Sequence, residues 1–129
     1  MVIDELLWQQ YSDPYFKFTH SLGFEEFAII TAWNPNSQWQ PKVENDRSNH
    51  SLVEEFGHTY FSEVYVGDRN FNWVETSFAV VISEQQALYL GQKYQQNAIY
   101  YVMNDELFLL SCLADQTKVS LGSCLQRCR

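Results

Sequence analysis

The sequence predicts an α+β domain: a ferredoxin-like βαββαβ sandwich with an N-terminal helix before it and an extra C-terminal strand after it. The first observation is the run Phe27-Ala28-Ile29-Ile30-Thr31-Ala32, apolar or β-branched throughout and uncharged. It is closed by Trp33-Asn34-Pro35. Such a run reads as a strand buried on both faces, stopped where Pro35 has no N–H for the ladder. The second is the order of apolar periods between 27 and 103: strand, helix, strand, strand, helix, strand. The third is Ser83-Glu84-Gln85-Gln86, a capping box with Ser at the N-cap and Gln three residues on.

Taken in order, Asp4 can cap a short helix through about Tyr11, with Leu7, Trp8 and Tyr11 on one face and Asp13-Pro14 after it. Residues 15–19 alternate weakly, as an edge strand does. Ser21-Leu22-Gly23 turns the chain into the central strand. A polar loop leads to Pro41, well placed in the first turn of a helix over about 43–56 that Gly57 ends. Steps of three and four back from Phe56 and Leu52 reach Asn49 and Asn45. The inward stripe is therefore apolar at one end and carboxamide at the other.

Residues 60–66 alternate as a strand, and Gly67-Asp68-Arg69-Asn70 is a turn cluster. The strand over about 71–82 sends Trp73, Glu75, Ser77, Ala79 and Val81 to one face. The helix after the capping box carries Ala87, Leu90, Gly91 and Tyr94 on one stripe. Residues 98–103 and 107–110, joined around Asn104-Asp105-Glu106, read as a hairpin that is apolar on both faces.

The size of the chain, 129 residues, suits one domain. We assign it to residues 1–113, with residues 114–129 as a polar tail of no clear period, expected to be partly mobile. Aromatic residues make up 16% of the chain, enough for a core or interface built from large rings. The net charge of −8 argues against nucleic acid or an anionic membrane as partner and favours a cationic ligand or a basic protein. The first seven residues hold two acids and no basic residue, unlike a secretory signal. Three cysteines, Cys112, Cys124 and Cys128, cannot all pair within one chain. Reduced thiols in the cytoplasm are the simple reading. Two signalled helices cover one face of a sheet that is apolar on both. The other face needs the N-terminal segment, the tail or a second subunit, and a homodimer is expected from it.

The central run 27–35, Asn45 and Asn49, Glu75-Thr76-Ser77-Phe78-Ala79-Val80, Leu90-Gly91 and Gln95-Gln96-Asn97-Ala98-Ile99 together resemble a bacterial family of unknown function, DUF3293. The resemblance spans about residues 7–110 and implies a small cytoplasmic protein. It brings no activity with it. Position 76 is Thr where the family commonly has Pro, and the cysteine-bearing tail is not part of the pattern.

The candidate ligand-binding residues are Asn34, Asn45, Asn49, Glu75, Ser77 and Gln96. Carboxamides both donate and accept, which suits a small polar ligand with amide-like or nucleobase-like edges. The plainer role for the same groups is to cap helix ends and satisfy loop backbone. Glu75 is the one acid or base in the set, and Arg47 or Arg69 could pair with it. One carboxylate without a His partner is thin support for catalysis. Ser77 lacks a nucleophile elbow. His50, Glu54 and His58 share a stripe but are not a zinc-protease motif, so no metal or cofactor is expected. Trp8, Trp33, Trp39 and Trp73 could wall a ligand. The expected function is a non-enzymatic module that binds a small ligand or another protein. The alternatives are a small enzyme using Glu75 and an acidic inhibitor of a basic protein.

Overall fold

The computed structural model describes residues 4–20 and 23–129. In order they form α1 (Glu5–Tyr11), β1 (Tyr15–Phe18), β2 (Glu26–Ile30), α2 (Lys42–Glu54), β3 (Phe61–Gly67), β4 (Val74–Val80), α3 (Glu84–Lys93), β5 (Ala98–Met103), β6 (Glu106–Ser111) and β7 (Lys118–Ser123). Short 3-10 turns occupy Pro35–Ser37 and Leu125–Arg127. The strands make one antiparallel sheet in the order β1-β3-β4-β2-β5-β6-β7. The fold is mixed α/β. The turn expected at 21–23 lies partly outside the described residues.

Local chemistry sets the helix starts. The Asp4 carboxylate accepts from the Leu6 N–H at 2.9 Å, which satisfies a first-turn donor of α1. Ser83 and Gln86 complete the capping box of α3 in both directions. Pro41 precedes α2, and Gly57 just beyond it takes φ +64°, a left-handed conformation suited to glycine.

Both faces of the central strand are buried. Ala28 and Ile30 pack with Leu52, Phe56, Phe78, Val80, Ala87 and Leu90, so α2 and α3 cover the same face. Phe27 and Ile29 pack on the other face with Phe16, Val64, Val66, Val102, Leu107 and Cys124. That second cluster joins residues from both ends of the sheet, because the sheet curls on itself. Phe16 of β1 bridges Cys128 beyond β7, and the Arg129 N–H donates to the Phe16 carbonyl at 2.8 Å. Burial of those apolar side chains drives the curl.

The cover for the second face therefore comes from within the chain. β7, drawn from the stretch with no clear period, pairs with β6 and extends the sheet. Its alternation of exposed and half-buried positions is what a curled edge requires. This face supplies no argument for the homodimer, whose test is the particle mass in solution.

Candidate functional site

The pairing of β2 with β4 ends at Ile30↔Phe78. Beyond it the side chain of Asn49, on α2, takes the place of the ladder. Its Oδ1 accepts from the Ala32 N–H at 2.8 Å, and its Nδ2 donates to the Thr76 carbonyl at 2.9 Å. The Thr31 hydroxyl donates to the same carbonyl at 2.7 Å. Asn49 thus satisfies the Ala32 N–H and the Thr76 carbonyl where the ladder has ended.

Asn45, one helical turn earlier, organises the loop. It accepts from the Asn34 N–H at 2.9 Å and from Gln40 Nε2 at 2.7 Å, and it donates to Asn34 Oδ1 at 3.1 Å. Asn34 Oδ1 also accepts from the Gln40 N–H at 3.0 Å. Asn34 sits at φ 48°, a left-handed conformation that Asn tolerates better than most residues. Its amide is free to turn inward, and Nδ2 donates to Glu75 Oε2 at 3.1 Å.

Glu75 stands opposite Val66 on β3 and points, with Ser77 and Ala79, into the curl. Arg47 and Arg69 do not pair with it, and among the described residues no cation does. Burial pushes its carboxyl up to about 7, and the Asn34 hydrogen bond offsets only part of that. A half-buried carboxyl with a raised pKa and no cation beside it, lining a cleft, is a candidate functional group.

Glu75 opens onto a cleft of about 390 Å³ where the curled sheet meets α1. Trp33, Trp73, Tyr11, Tyr100, Ile29 and Val66 form much of its wall, with Asn34, Ser77, Gln96 and Asn97 as polar lining. The indole Nε1–H of Trp33 is buried without a hydrogen-bond partner. The Tyr100 hydroxyl donates to the Tyr11 carbonyl at 2.6 Å, and burial holds its ionisation far above the usual range. α1 lies along one side through Leu7, Gln10 and Tyr11, and no residue of it is fully buried. Its end is tied down by a Tyr11–Ser37 hydroxyl contact and by Asn97 Nδ2, which donates to Ser37 Oγ at 2.9 Å and Tyr11 Oη at 3.3 Å.

The six residues singled out in the sequence divide by role. Asn34, Glu75, Ser77 and Gln96 line the cleft. Asn45 and Asn49, only 3% and 4% exposed, spend their amides on backbone and on neighbouring side chains. Gln96 donates to the Trp33 carbonyl at 3.0 Å and so fixes that wall while facing the cleft. Of the four tryptophans, Trp33 and Trp73 line the cleft, whereas Trp39 is 80% exposed. Tyr11, Tyr100 and Asn97 carried no separate signal, because α1 meets the start of β5 only in the folded chain. His50 and Glu54 meet at 3.4 Å on an exposed face, and α2 ends before His58. Among the described residues no cluster of metal-ligating side chains is present.

No helix among the described residues is long and apolar enough to cross a membrane. Neither a curated protein nor a solved structure matches the chain. A family described as proteins of unknown function, DUF3293, matches residues 30–99. That span holds Asn34, Asn45, Asn49, Glu75, Ser77 and Gln96, while α1, β1, β6 and β7 lie outside it. The match covers more than half of the chain, and the protein belongs to the DUF3293 family.

Proposed function

We propose that this protein is a small-ligand-binding module whose site is the cleft at Glu75. One observation carries the reading: a carboxyl with no cation beside it in the lining of a cleft that Trp33, Trp73, Tyr11 and Tyr100 also line. A carboxylate in such surroundings gains from a ligand that donates hydrogen bonds to it. The scaffold is ferredoxin-like at its centre, a reading supported by the strand order β3-β4-β2-β5 with α2 and α3 on one face. We place the protein in the cytoplasm, in keeping with its three free cysteines.

The test is a thermal-shift and tryptophan-fluorescence screen against a panel of metabolites and nucleotides. Trp33 and Trp73 lie in the cleft walls, so a bound ligand changes their emission. Hits that disappear in Glu75→Gln support the reading. Hits that survive it unchanged place binding elsewhere and refute it.

A second reading, a small enzyme, has its own observation. A carboxyl pushed up to about 7 is matched to proton transfer near neutral pH. Turnover of a screened ligand by the wild type, lost in Glu75→Gln, would favour the enzyme over the binding module.

A further inference from the structure

Glu75 is the sole acidic side chain in the cleft lining, and no Lys, Arg or His lines it among the described residues. The other titratable side chains there are Tyr11 of α1 and Tyr100 of β5. An anionic ligand would meet a half-buried carboxylate with no countercharge, inside a chain of net charge −8. Where Glu75 is ionised, a neutral ligand would leave its charge without compensation. A cation would supply it.

The walls favour the same class. Trp33, Trp73, Tyr11 and Tyr100 line the same cleft as Glu75, with Trp73 at 45% exposure toward its outer side. Aromatic faces attract cations, and aromatic-lined sites recur in the recognition of organic ammonium groups. Ile29 and Val66 add aliphatic surface for an uncharged body. Asn34 occupies Glu75 Oε2, and no described residue bonds the other oxygen. That oxygen is free to accept from an N–H.

We propose that the cleft is a site for a small organic ammonium ion, its N–H groups on the Glu75 carboxylate and its apolar body against Trp33, Trp73 and Tyr100. The inference rests on the binding role proposed above and names the ligand class for that site. The cation binds the ionised form of Glu75. Because burial holds much of that carboxyl protonated near neutrality, affinity rises as pH is raised across that range. Binding of the cation then releases a proton.

The test uses three probes with one ring and different charge: benzylamine, benzyl alcohol and benzoate. Binding is followed by the indole N–H resonance of Trp33 in ¹⁵N-labelled full-length protein, with thermal melting run in parallel. The expected result at about pH 8 is that benzylammonium binds at least about tenfold more tightly than benzyl alcohol, with benzoate weakest. The preference collapses in Glu75→Gln, and it weakens toward about pH 6 in the wild type. If benzyl alcohol or benzoate shifts the Trp33 resonance at equal or lower concentration, the ammonium class is wrong while the cleft remains a binding site. If none of the three moves that resonance, both the class and the site fall. Should Glu75→Gln fail to fold, the charge series and pH dependence in the wild type decide alone.

Discussion

Asn34 donates to Glu75 across 3.1 Å, from the loop after β2 to the inner face of β4. The same Asn34 side chain accepts from Asn45 and from the Gln40 backbone. One carboxamide thus links the scaffold of α2 to the acid of the cleft. The cluster is a graded set: Asn45 and Asn49 hold the loop, Asn34 connects, and Glu75 faces the ligand space.

Asn49→Leu separates holding from binding. Leucine suits the stripe with Leu52, but it leaves the Ala32 N–H without its acceptor and the Thr76 carbonyl with one donor fewer. Stability is expected to fall by about 1–3 kcal/mol. The denaturant midpoint measures it. An unchanged or raised midpoint would return Asn49 to the candidate ligand contacts.

Glu75→Gln is expected to alter the pH dependence of stability. The folded-state carboxyl is raised from 4.5 to about 7, so between those values the native state binds more protons than the unfolded one. Stability from this group therefore falls as pH rises through that window and is level above it. At about pH 8 Glu75→Gln should be more stable than the wild type by roughly 2–3 kcal/mol, and at about pH 4 the two should be equal. Urea melts of both proteins across the window measure the difference. Parallel curves would mean that Glu75 is well solvated.

Gly91→Ala tests the packing of α3 on the hairpin strands. A Cβ there would lie 2.6 Å from Cys112 Sγ and 2.9 Å from Ile99 Cγ2. The helical gain from alanine is smaller than the cost of displacing two buried side chains, and a loss of about 1–3 kcal/mol is expected. Thermal melting reads it directly. A stabilised variant would show that α3 can lift away without cost.

The elements were legible where local chemistry specifies them. The Asp4 cap, the Ser83–Gln86 box and the two-sided burial of β2 are written in short stretches and appear in the structure. The inward turn of Asn45 and Asn49 followed from helical spacing alone. The end of β2 did not. Thr31 and Ala32 read as strand, but the Asn49 side chain takes the hydrogen bonds a neighbouring strand would have made. β7 was hidden because its small, polar, alternating residues reflect an edge that is only half-buried. The cleft itself depends on long-range contacts of Tyr11 with Asn97 and Tyr100 that no local pattern encodes. For that reason Glu75 and Asn34 could be named from the sequence, while Tyr11 and Tyr100, which line the same cleft, could not.

Glu75 is a half-buried carboxyl in the cleft lining that desolvation keeps protonated to unusually high pH, tied to Asn34 and, among the described residues, to no cation. Carbon-13 NMR of its side-chain carboxyl through a pH titration tests this most directly. The expected midpoint is about 7, with the Asn34 side-chain amide shifting at the same midpoint. A midpoint at the ordinary glutamate value of 4.5, with an unresponsive Asn34 amide, would contradict it.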